Sequence, residues 1–138
     1  MPKRIPRKKP AILIVEDDTV LGEILLKKMQ AEGFTASLVR DGEAGLAAIR
    51  QEQPAVVLLD IGLPKMDGYQ VLEALAKDHR TKSSAVIIIS NSGQPVELDR
   101  AMALGARDYL VKTEFSPDEV MAKVRRQLAR PAGTRSTG

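Results

Sequence analysis

Apolar residues in this chain gather in five short runs, at 11–15, 34–39, 55–59, 85–89 and 108–111, and the stretches between them repeat at helical spacing. Runs such as AVVLL and AVIII are continuous rather than alternating, as expected of strands covered on both faces. FTASLV alternates more and reads as an edge strand. The spacing predicts a first helix beginning after an Asp18 N-cap, with Val20, Leu21, Ile24, Leu25 and Met29 on one face and a stop at Gly33. Asp41 and Asp67 are caps for the second and third helices. Gln94-Pro95 opens the fourth and Gly105 closes it, while Ser116-Pro117-Asp118-Glu119 opens the fifth as a capping box and Pro131 ends it.

Strict strand-helix alternation with short connections predicts a doubly wound α/β domain, a parallel sheet with helices on both faces. Ligands of such sheets gather outside the carboxyl ends of the strands, where strand order reverses. The residues expected there are Glu16, Asp17 and Asp18 after the first run, Asp60 after the third, Ser90 after the fourth and Lys112 after the fifth. Carboxylates about 4 Å apart repel by roughly 4 kcal/mol at an effective dielectric of 20, so the cluster calls for a cation or a shifted protonation. A hard divalent ion such as Mg²⁺ suits carboxylates, a carbonyl and water. With no cysteine and one histidine there is little support for zinc, and disulfides and cysteine nucleophiles are excluded.

Charge refines this picture. The formal net charge is +3, but residues 1–10 carry five basic groups and residues 125–138 carry four, without an acid in either stretch. The remaining 12 basic and 18 acidic residues leave the body at −6, which argues against a nucleic-acid face on the fold itself. The basic ends read as solvated termini, with an anionic partner as the rival. The apolar run nearest the N-terminus is too short for a membrane span or signal-peptide core, so a cytoplasmic location is expected.

LIVEDD, VVLLDIGLPKMDG, IIISNSG and GARDYLVK, in this order and spacing, resemble the receiver domains of two-component response regulators. The resemblance runs from about residue 11 to 128 and implies a flavodoxin-like sheet of order 2-1-3-4-5 with five helices. The chain divides into a basic N-terminal tail (1–10), a receiver domain (11–130) and a flexible C-terminal tail (131–138), and the eight residues after Arg130 hold no effector domain unless the chain is a fragment of a longer regulator. The resemblance implies that Asp60 accepts a phosphoryl group from a sensor histidine kinase or phosphotransfer protein. Asp17, Asp60 and the Gly62 backbone carbonyl would ligate Mg²⁺, with Glu16 acting through water. Lys112 would pair with a phosphoryl oxygen, Ser90 would donate a hydrogen bond to it, and Tyr109 would be the aromatic switch that turns inward. The output implied is binding to an unidentified protein target through the fourth helix, fifth strand and fifth helix, rather than enzymatic turnover.

The match has departures. Lys112 is followed by Thr113 where the family usually has proline, and a cis non-proline bond costs about 2.5 to 4 kcal/mol, which leaves that loop's geometry open. Asn91 stands where a small alanine or glycine is common, and Ser90 replaces the commoner threonine. Asn91 and Thr113 motivate a rival, a receiver fold that binds partners independently of phosphorylation. A phosphatase of the haloacid dehalogenase type would carry a second aspartate two residues after the nucleophile, where this chain has Gly62. His79 reads as a solvated residue near a helix end, and the methionines as core filler.

Overall fold

The computed structural model describes residues 11–129, and the two proposed tails lie outside the described residues. The strands are β1 Ala11–Val15, β2 Thr35–Val39, β3 Val56–Asp60, β4 Ala85–Ser90 and β5 Asp108–Val111. They alternate with α1 Thr19–Ala31, α2 Gly42–Glu52, α3 Gly68–Ala76, α4 Pro95–Ala103 and α5 Pro117–Leu128. All strand pairs are parallel and the sheet order is β2-β1-β3-β4-β5, as expected. Asp60 and Ser90 are the last residues of their strands rather than the first beyond them. A 3₁₀ turn at His79–Thr81, which the periodicity did not signal, precedes β4. No helix among the described residues is long and apolar enough to cross a membrane.

Side chains alternate along each strand, so the buried sheet serves two cores. One face sends Leu13, Val15, Val57, Leu59, Val86 and Ile88 against α2, α3 and Ala101 of α4. The other sends Ile12, Ile14, Val56, Leu58, Ile87 and Ile89 against Leu25 and Met29 of α1 and Val120, Met121 and Val124 of α5. β3 and β4 are buried throughout and β2 only partly, which is why the first two read as continuous apolar runs and the third alternates.

The caps follow the sequence. Asp18, Asp41, Asp67 and Ser116 accept from backbone N–H groups of the helices they open. Asp67 and Gln70 complete a reciprocal capping box. The box expected at Ser116 is half-made: its Oγ accepts from Glu119 N, and the return bond from Glu119 is not formed. Gly33 and Gly105 adopt positive φ just beyond α1 and α4, the conformation glycine tolerates best. The Lys112–Thr113 peptide is trans, as is every other peptide among the described residues.

The expected face of α1 needs correction. Leu25 and Met29 are fully buried and Leu21 packs partly, but Val20 is 70% exposed and Ile24 46%. The inward stripe is narrower than the spacing suggested. Leu25→Ala is expected to cost about 2–5 kcal/mol in urea unfolding, whereas Val20→Ala on the same helix should change stability by no more than about 0.5 kcal/mol.

The 3₁₀ turn is anchored by Asp78, which accepts from the backbone N–H and guanidinium of Arg80 and from Arg50 Nε. The Arg80 bonds foremost, with Arg50 assisting, hold its carboxyl down at about 2, from an ordinary 3.8. A depressed folded-state pKa contributes stability above the unfolded value and loses it as pH falls through the folded one. Asp78→Asn should therefore lower the urea midpoint at pH 6, with the difference from wild type shrinking between about pH 4 and 2.

Candidate functional site

The register brings the carboxyl ends of β1, β3, β4 and β5 to one rim. Val15 lies beside Leu59, Asp60 beside Ile89 and Ser90 beside Val111. Bonds past the strand ends extend it: Glu16 N–H donates to the Val39 carbonyl, Ile61 N–H to Ile89 and Lys112 N–H to Ser90. Side chains separated by nearly a hundred residues thereby share one small volume.

Glu16 and Asp60 are buried while Asp17 is exposed, and one carboxylate oxygen from each can be chosen so that all lie within 4.8 Å of one another. Lys112 Nζ reaches across, 3.1 Å from Asp60 Oδ2, 2.9 Å from Glu16 Oε1 and 3.2 Å from Glu16 Oε2. The bond to Oε2 is the aligned one, so Oε1 stays buried without a hydrogen bond despite the nearby charge. Asp60 Oδ1 accepts from Gly62 N–H at 3.1 Å, and Asp18 N–H donates to Glu16 Oε2. Burial, and then the neighbouring Asp60, push the Glu16 carboxyl up to about 7. Burial acts to lower Lys112, but its bonds to Glu16 and Asp60 prevail and raise it above the ordinary lysine value.

One ammonium thus pairs with the two buried carboxylates, and a third, exposed carboxylate lies beside them. The excess negative charge, the orphaned Oε1 and the exposed Asp17 together form an oxygen-only donor set that fits a hard divalent cation.

The β3–α3 loop is held as firmly as the rim. Gly68 N–H donates to the Ile61 carbonyl at 2.9 Å, and a Cβ at Gly68 would stand 2.6 Å from the Asp60 carbonyl oxygen and 2.7 Å from Ile61 Cα. These are backbone atoms that cannot step aside, so Gly68 lets α3 start directly against the acceptor strand. Its role was not read from the sequence, although the Met66-Asp67-Gly68 block was the available signal.

Two expected site residues stand apart from the acidic cluster. The Ser90 hydroxyl donates to the Ser92 carbonyl at 2.8 Å and accepts from Ser92 N–H at 3.1 Å, so it is committed to its own loop. Tyr109 is 38% exposed on β5, with Lys123 Nζ 5.2 Å from its ring centroid and 2.8 Å from its carbonyl oxygen. Lys123, which the sequence did not single out, also donates to Asp108. Asp18 acts as the helix cap expected of it.

The model of the response regulator receiver domain matches residues 12–125. The chain belongs to that family. Among curated relatives, this receiver domain is 35% identical over 121 residues to the DNA-binding dual master transcriptional regulator RpaA of Synechocystis, covering 88% of this chain and 50% of that protein. It spans about half the length of the curated relatives it matches. Among solved structures it resembles the Francisella response regulator 1452 receiver domain, with a TM-score of 0.79 at 27% identity over 86% of this chain and 96% of that one. It also resembles a BeF₃-activated DrrB receiver domain, with a TM-score of 0.78 at 27% identity over 88% and 99%.

Removing one partner from a buried ion cluster leaves uncompensated charge. Lys112→Met should cost about 3 kcal/mol in urea unfolding at pH 8 with chelator present. The cost should be smaller at pH 5, where the Glu16 carboxyl carries its proton.

Proposed function

We propose that this receiver domain is a phosphoacceptor switch of a two-component or phosphorelay system, in which Asp60 takes a phosphoryl group from a phosphohistidine of a sensor kinase or phosphotransfer protein. The observation that carries the reading is the buried Asp60 carboxylate at the end of β3, bonded to Lys112 and Gly62 within a rim short of positive charge. In the transfer, an Asp60 carboxylate oxygen forms the new bond to phosphorus as the donor's imidazole N–P bond breaks, and the released imidazole keeps the electron pair. Lys112 is a compact point charge on a flexible four-carbon stem, suited to pair with a phosphoryl oxygen, and its two carboxylate partners hold it at the rim.

Asp17, Asp60 and the Gly62 carbonyl would hold Mg²⁺, with Glu16 acting through water. When bound, the ion supplies positive charge against the phosphoryl oxygens. Ser90 would leave Ser92 and donate to the new phosphoryl group. Tyr109 would leave Lys123 and turn inward. The face formed by α4, β5 and α5 would then change its affinity for a protein target, so the output is a contact and not a turnover. DNA binding is a property named for RpaA; residues 11–130 here carry 15 basic and 18 acidic side chains, a net −3 that favours a protein target for this domain.

The second reading is a module that binds partners without phosphorylation. The Ser90 hydroxyl, whose one proton is already donated to the Ser92 carbonyl, favours it, as do Asn91 and Thr113. Intact mass after incubation with Mg²⁺ and acetyl phosphate separates the two. An adduct of about 80 Da, the mass of HPO₃ expected for an aspartyl phosphate, should form on the wild type and not on Asp60→Asn. Absence of the adduct, together with failure to bind beryllofluoride, would establish the second reading.

A further inference from the structure

Helix α4 is lightly anchored. It buries only Leu98 and Ala101, its N-cap Gln94 makes no side-chain cap bond, and Val96 in its first turn is 78% exposed. What grips it comes from α3. The buried Tyr69 donates its hydroxyl to the Glu97 carbonyl at 3.2 Å, and the Arg100 guanidinium lies 4.0 Å from the centre of the Tyr69 ring. Arg100 also approaches Glu73 of α3 at 3.9 Å. Burial raises the Tyr69 phenol above its ordinary range, so it remains a donor at neutral pH.

Tyr69 is tied to the acceptor loop through its backbone as well. It follows Gly68, whose backbone abuts the Asp60 carbonyl and bonds to Ile61. The clamp therefore links the acceptor strand's own loop to the helix that follows the Ser90 loop. Residues 91–94 run from Ser90 straight into Pro95, and Ser92 both engages Ser90 and receives the Gln94 N–H. Turning the Ser90 hydroxyl toward Asp60 breaks both of its bonds to Ser92 and so releases the segment to which α4 is attached.

We propose that Tyr69 and Arg100 form a restraint that holds α4 and the 91–94 loop in the arrangement that keeps Ser90 on Ser92, and so set the free-energy cost of switching. The proposal rests on the phosphoacceptor reading of Asp60. A ligand that favours the shifted arrangement binds less tightly by whatever the resting contacts hold back. Neither residue belongs to the acidic rim, so both are positioning residues that act through the loop.

The test is calorimetric titration of beryllofluoride with Mg²⁺ into wild type, Tyr69→Phe and Arg100→Gln, with backbone amide exchange in α4 measured alongside. Tyr69→Phe removes the donor and keeps the ring, and Arg100→Gln changes an exposed side chain. Each should tighten mimic binding by about twofold to tenfold, the worth of one hydrogen bond or cation–π contact, and speed exchange in α4. In a Ser90→Ala background the gain in affinity should vanish. A purely packing role would lower the urea midpoint and leave affinity unchanged, so wild-type or weaker affinity in both folded variants overturns the clamp. If the wild type binds no mimic, the phosphoacceptor reading fails and the clamp falls with it; if the wild type binds and the variants match it, only the clamp falls.

Discussion

Two carboxylates buried at the end of a hydrophobic sheet, with one ammonium between them, are the constraint on which this structure turns. Glu16 immediately follows β1 and Asp60 ends β3, and the pairing of these two strands brings their carboxylates side by side. In a low-dielectric interior that proximity is costly unless it is compensated. Lys112 compensates part of it, and the exposed Asp17 adds a further negative charge. The imbalance is what makes the rim receptive to a divalent cation and, beside it, to the oxygens of a phosphoryl group.

Around this charged centre the backbone is specified with little slack. The 61–68 loop returns on itself so that α3 begins against the Asp60 carbonyl, an approach that glycine alone permits. The 90–94 loop is different in kind. Its bonds are local, between Ser90, Ser92 and Gln94, and they lead into a helix with few buried side chains. A firm acceptor loop beside a lightly held neighbour is the arrangement in which a local change of charge can be converted into movement, because only one of the two sides resists.

Much of the fold was legible because local chemistry and the global pattern agree. Asp18, Asp41, Asp67 and Ser116 begin helices where their side chains suggested, and the continuous runs are the buried strands. Val20 and Ile24 continue the apolar spacing of α1 yet stay exposed, because periodicity names a face and the width of the covering surface decides how much of it is buried. The return arm of the box at Ser116 was equally undecidable, since Glu119 is in register for it but exposed and free to point to solvent.

The sequence by itself determined the alternation of strands and helices, the caps, and the identity of the residues at the strand ends, all of which depend on neighbours within a few positions. Only the tertiary structure decided which of those residues meet. It joined Lys112 to Glu16 and Asp60 across a register no local pattern encodes, turned Ser90 toward Ser92 instead of the acidic cluster, and set Tyr69 beneath Arg100. Spacing fixes which face of an element a side chain occupies. Side-chain contact depends on strand order and on the competition among nearby donors and acceptors, which exists only once the chain has folded.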